Sequence, residues 1–443
     1  MPHTIVRRVL THPAPAAVAL GLVLGAMVVK MPGIIAVLAP ATLGGLLLVA
    51  LVGKLTDWPG DLQARHRVLW WTAASFAAHL LLGLVITSSS GLIGFFGPDA
   101  LTYHDGSLYI VRHWAGGVAP TFGAGKEGFY YVLAGLYWAL GAHMLAGVAL
   151  NATFAAALVP VVTDTTRRLF GQAAARYATP LVVVFPGLLL WTSQVLKEAV
   201  IVLLVAVAAN CAVRLIDRTS IGAMGVLAVT LALLFTFRGP VAFVLAATLV
   251  AGVAFGIRAL ASGLAVGMAI LAVIGVTLAA GLGSSGYQVA VDADLARAQE
   301  LREALAREGT SGFQSDVDIS TPKGALRFLP AGVTNFAFGP FPWQIRAARH
   351  LAAVPDVVAW WFLLPSLWRG QRAGRQHGRR QLVLILPALG LCLLLALSIG
   401  NFGTVVRERI QIVVLVAPII ALGLSRRLGQ GAPEQPGVLQ YRA

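Results

Sequence analysis

The run Gly97-Pro98-Asp99-Ala100-Leu101-Thr102-Tyr103-His104-Asp105 sets a carboxylate directly after an apolar block. Partly desolvated at a membrane face, Asp99 suits general-base work or the holding of a cation. The same Pro-Asp-Ala is also a helix start signal, in which Asp99 would cap the first turn. Tyr103, His104 and Asp105 follow within about two helical turns and are candidates for support. Taken singly, His104 and Asp105 read as solvated side chains.

Cations and further carboxylates stand at other block edges. Lys126-Glu127 precedes an apolar stretch, Lys197-Glu198 follows Trp191-Thr192-Ser193-Gln194, and Arg238 closes a block before Gly239-Pro240. Gly400-Asn401-Phe402-Gly403-Thr404-Val405-Val406-Arg407-Glu408-Arg409 joins the last two blocks. Each alone has a bland reading, since Lys and Arg at helix ends reach for headgroups and an adjacent Lys-Glu pair has little energetic weight. As a set, Lys126, Lys197, Arg238, Arg407 and Arg409 match a phosphate or diphosphate headgroup. Lysine would hold it as a point charge and arginine through paired hydrogen bonds.

The elements that must position these residues are membrane helices. The chain has 443 residues, 58% hydrophobic and 12% charged, with a mean hydropathy of +0.81. Soluble domains carry about 25% charged residues. Here the apolar residues gather in blocks of about 17–23, the length that crosses a hydrocarbon core of roughly 30 Å, and such blocks satisfy their backbone only as helices. We read spans at 15–30, 33–53, 68–87, 144–166, 174–192, 196–214, 220–237, 240–257, 262–283, 351–368, 381–400 and 410–425, an all-α polytopic architecture of about twelve helices. The stretch 129–143 is read as interfacial. Inward segments then hold 19 Lys/Arg and 5 Asp/Glu, outward segments 14 and 13, a split of +14 against +1 within the net +15. That is the positive-inside bias, so the basic character points to a membrane and not to nucleic acid. Both termini face the cytoplasm, and two long outward loops, 88–143 and 284–350, carry interfacial helices. Residues 1–430 form one transmembrane domain and 431–443 a disordered cytoplasmic tail. Cys211 and Cys392 lie inside apolar blocks as small core residues.

The arrangement resembles the GT-C superfamily of polyprenyl-phosphate-sugar glycosyltransferases, the group of the protein mannosyltransferases and aminoarabinose transferases. The likeness rests on Asp99 and Tyr103 in the first outward loop and on the interfacial Phe129–Gly141 segment. It extends to Leu150-Asn151 opening a span that ends in Arg167-Arg168-Leu169-Phe170-Gly171, and to Phe185-Pro186 running through to Lys197-Glu198. It implies an inverting transfer from a polyprenyl-(di)phosphate donor to a lipid, glycan or protein acceptor, on the outer face of a bacterial-type plasma membrane. Asp99 would be the base and Lys197 a phosphate contact, with Tyr103, His104, Asp105, Glu127 and Glu198 in support. The chain departs from the pattern in having Ala100 where many members have a second acidic residue, and in lacking a soluble C-terminal domain. The Gly400–Arg409 stretch resembles instead what O-antigen polymerases and ligases use to hold lipid diphosphate, so such an enzyme is the alternative. A lipid or solute transporter is the second alternative. The residues call for no cofactor, and a divalent cation is left open.

Overall fold

The computed structural model describes residues 34–55, 62–120, 127–218, 220–256, 295–308, 317–345 and 348–427, with the single positions 267 and 275. Among the described residues the long elements are all helices. They are α1 (Ile34–Leu55), α2 (Leu62–Thr87), α3 (Ser90–Phe96), α4 (Asp99–Trp114), α5 (Glu127–Leu140), α6 (Met144–Phe170), α7 (Gln172–Val184), α8 (Pro186–Thr192) and α9 (Glu198–Asp217). There follow α10 (Ile221–Gly256), α11 (Leu295–Glu308), α12 (Pro322–Phe338), α13 (Val354–Gly374), α14 (Leu382–Ser398) and α15 (Phe402–Arg427).

Five helical runs are long and apolar enough to cross a membrane, six if α7 and α8, bent by 50° at Phe185, form one span. Their outer surfaces carry large apolar side chains such as Trp70, Val229, Phe362 and Leu389 in exposed positions. Water would disfavour such a surface and lipid would not. Among the described residues the chain is thus helical almost throughout, with long apolar helices compatible with a membrane.

Two of those runs double back. Helix α10 leaves helical geometry at Arg238. Its break lies at the start of α9, where Lys197 Nζ donates to the Phe237 carbonyl at 3.3 Å. The end of α10 lies at the other end of α9, because a Cβ on Gly256 would press on Ile216. The two arms, 221–237 and 239–256, are therefore a hairpin, each about 25 Å long at 1.5 Å per residue. Helices α13 and α14 form a second hairpin through a 3₁₀ turn at Arg375–Gln381, in which Gly378 takes the left-handed region at φ 71°. Ten of the twelve expected segments fall on helices. The other two, 15–30 and, but for positions 267 and 275, 262–283, lie outside the described residues, as do Lys126 and the tail from 431. The count established by length and composition stays at five or six.

Helix α5 has 14 residues and spans about 21 Å, short of a hydrocarbon core. It lies across one end of the bundle. Gly128 abuts Thr236, just before the α10 break, and Leu133 abuts Gly147 in the first turn of α6. Helix α11, in the second long loop, is rich in charged residues. Yet its Arg302 is buried, with the guanidinium 4.2 Å over the Phe328 ring of α12. At the centre, α15 is buried on nearly every side from Glu408 to Gly423, and the small residues Ala146, Ala149, Ala152 and Ala156 let α6 approach its neighbours closely.

Candidate functional site

The site forms at the end of the bundle where α4 and α5 lie. Between α8 and α9 the chain unwinds over 193–197, leaving carbonyls that need partners. The buried Asn151 of α6 supplies them, donating from Nδ2 to the Leu196 carbonyl at 2.8 Å and to that of Gln194. This clamp fixes Lys197 and Glu198 at the head of α9. The turn before α4 sits against the same stretch. A Cβ on Gly97 would overlap Gln194 Oε1, so glycine there lets Pro98-Asp99 settle over the unwound segment. Across from it, the Asn401 side chain accepts from the Gly403 amide at 2.8 Å and starts α15, setting Arg407 and Glu408 in the second turn.

Arg407 joins these elements. Its Nη1 donates to Asp99 Oδ2 at 2.5 Å, and its Nε lies 3.1 Å from Glu198 Oε1. Neither Glu198 oxygen accepts a well-formed hydrogen bond, although the side chain is only 1% exposed. Glu408 pairs with Arg238 at the α10 break and accepts from Gln411 Nε2 at 2.5 Å. Lys197, Arg238 and Arg407 thus stand among Asp99, Glu198 and Glu408, three cations against three carboxylates. Burying such charges is tolerable only when they are paired. Of the three carboxylates only Asp99 reaches the protein surface, its side chain 51% exposed.

Tyr103 lies in the same neighbourhood, packed 5.2 Å from Phe129 and 5.0 Å from Tyr130, ring to ring. Burial, and then the nearby Glu198 carboxylate, push its phenol well above the ordinary range, so the hydroxyl keeps its proton. The other expected supports stand apart. His104 Nδ1 meets the Tyr137 hydroxyl at 2.8 Å, and burial holds its ring below the usual histidine value, with His143 adding to the effect and Asp105 opposing it. Asp105 is exposed, and Glu127 opens α5 half-buried. Neither joins the ion-pair cluster among the described residues.

Arg409 corrects one expectation. Two residues along a helix is a turn of about 200°, so Arg409 points away from Arg407. It is buried, donating from Nε to the Phe336 carbonyl at 3.1 Å and to that of Gly339, with Asp356 3.6 Å away. It braces α12 and α13 and takes no part in the cluster. Conversely, Glu408 and Gln411 belong to the site and Asn151 to its support, roles the sequence reading did not assign. The signal for Glu408 was its place between two arginines in a chain poor in acid.

Among the described residues no group of three or more His, Cys, Asp or Glu side chains could hold a metal ion. The clustered carboxylates face guanidinium and ammonium groups instead. In comparisons with known proteins, no family model matches the chain and no curated protein matches it.

Proposed function

We propose that the protein is a membrane glycosyltransferase that moves a sugar from a polyprenyl-(di)phosphate donor to an acceptor on the non-cytoplasmic face. The observation that carries the reading is the pairing of a half-exposed carboxylate, Asp99, with a shared guanidinium, Arg407, beside Lys197 and Arg238. The cations are of the type that holds a phosphate leaving group. The carboxylate is of the type that takes a proton from an attacking hydroxyl.

In the reaction so assigned, the acceptor oxygen loses its proton to Asp99 and bonds to the anomeric carbon. The bond from that carbon to the phosphate oxygen breaks, and the electron pair leaves with the phosphate. Attack opposite the leaving group inverts the anomeric centre. The Tyr103 hydroxyl, kept protonated, is a donor available to the sugar or the phosphate. The end of the bundle bearing Arg167, Arg168, Arg214 and Arg380 faces the cytoplasm in this reading, in line with the positive-inside bias, and twelve spans complete the chain.

A second reading rests on one observation: α10 breaks at Arg238, which pairs there with the buried Glu408, and carriers too break helices at buried charges. Against it is the position of that break at the end of the bundle. Proteoliposomes loaded with a polyprenyl-linked labelled sugar separate the two. Release of sugar from the lipid to an acceptor is expected. Movement of the intact lipid or solute across the bilayer, with no cleavage, would assign a carrier.

A further inference from the structure

We propose that Arg407 is an exchangeable anion seat, occupied by Asp99 in the resting protein and surrendered to a singly charged phosphate ester. This deepens the glycosyl-transfer reading and rests on it for the identity of the ester, although the seat itself is testable by binding alone.

The argument is one of charge and exposure. Among the described residues the cluster is balanced, with Lys197, Arg238 and Arg407 matched by Asp99, Glu198 and Glu408. An added anion would leave buried excess charge, which is costly, unless a carboxylate departs. Glu198 and Glu408 are enclosed, 1% exposed each on the side chain, whereas Asp99 is 51% exposed. Only Asp99 can leave its partner and be solvated at little cost. Its departure leaves three cations against two carboxylates, room for one negative charge. Its contact with Arg407 Nη1, at 2.5 Å, has the charge-assisted form that a phosphate oxygen would reproduce.

The exchange has a consequence for the base. While Asp99 Oδ2 accepts from Arg407 Nη1, that oxygen is engaged and closed to the hydroxyl of an acceptor. Released by an incoming phosphate, it is open to that hydroxyl only when a donor is present. The resting contact is therefore self-inhibitory.

The test is titration of dihexyl phosphate, a phosphodiester monoanion, into the full chain in nanodiscs of zwitterionic lipid, followed by calorimetry. Asp99→Asn removes the competing anion, so it should tighten binding by about tenfold or more, the scale of one charge-assisted hydrogen bond withdrawn from the competition. Arg407→Gln should weaken binding to a similar degree, and Asp99→Asn added to Arg407→Gln should give no gain. Melting curves check that each variant is folded. Unchanged or weaker binding by a folded Asp99→Asn overturns the proposal. So does a gain that persists in the Arg407→Gln background, or an absence of binding by every variant. The two readings fail separately. Tightened binding without sugar transfer by the wild type keeps the seat and removes the glycosyltransferase, whereas transfer with unchanged binding does the reverse.

Discussion

The two ends of the bundle each bury an ion network, and the networks are built differently. At the end away from the site, Asp164 of α6 is wholly buried. It accepts from Arg168 Nε at 2.8 Å, Arg214 Nη2 at 2.7 Å, Asn210 Nδ2 at 3.0 Å and Arg167 Nη2 at 3.3 Å. Asp217 then links Arg168 to Arg380. At the site end, one guanidinium divides itself between Asp99 and Glu198, and the Glu198 oxygens lack well-formed hydrogen bonds. The Asp164 carboxylate has both oxygens engaged and ties α6 to α9. The Glu198 carboxylate, among the described residues, has neither oxygen in a well-formed hydrogen bond. A buried carboxylate whose acceptors are all used fixes one arrangement, and one with acceptors in reserve can rearrange.

That contrast can be broken in a definite order. Asp164→Asn should have the largest effect on stability, about 3 kcal/mol, by leaving Arg168 and Arg214 facing a neutral amide in a largely buried place. Denaturation in nanodiscs measures it, and a loss near zero would show the network to be incidental. Asn151→Leu should cost about 1–3 kcal/mol, because the carbonyls of the unwound 193–197 stretch lose their donor. It should also lower turnover by shifting Lys197 and Glu198, so a destabilised variant with full activity per folded molecule would separate the clamp from the site. Lys197→Ala should raise KM for the lipid donor by about tenfold with a smaller change in kcat, the signature of a lost ground-state contact. A fall in kcat alone would move Lys197 from holding the phosphate to the chemical step.

The smallest effect concerns His104. Burial first, and then His143, hold its folded pKa below the ordinary 6.5, so the unfolded chain binds its proton more readily. The stability it contributes is present above pH 6.5 and is lost as pH falls through the unfolded value towards the folded one. A slight loss of thermal stability between pH 7 and 5, reduced in His104→Gln, is expected. An identical pH slope in the variant would assign the acid sensitivity to other groups.

Much of the architecture was legible because apolar block length is a direct physical requirement of the bilayer. The break of α10 at Arg238-Gly239-Pro240 followed from the same reasoning, and the reading of 129–143 as a non-spanning segment from the charge count. Lys197, Arg238 and Arg407 were found as a set because each is a cation at the edge of an apolar block. The division between Arg407 and Arg409 was missed when residues were grouped by depth and not by helical face, since about 100° per residue sends them apart. Asp164 went unread for another reason. Arg167 and Arg168 follow it by three and four residues, which looks like an ordinary helix end. Only the fold shows Arg214 and Asn210 arriving from a different helix. Pairing across the chain, as with Asp99 and Arg407, leaves no local trace in one sequence.

The most direct measurement is transfer of labelled sugar from a lipid donor in proteoliposomes by wild type, Asp99→Asn and Asp164→Asn, each normalised to its folded fraction. The N-cap of α4 is Pro98, not Asp99 as the sequence suggested, so Asp99→Asn removes no cap and should stay folded. The account predicts that its turnover falls by about 10²–10⁴-fold, the usual worth of a general base, while Asp164→Asn keeps near-normal activity per folded molecule. Equal rates for wild type and Asp99→Asn would contradict the account and remove Asp99 from the chemistry.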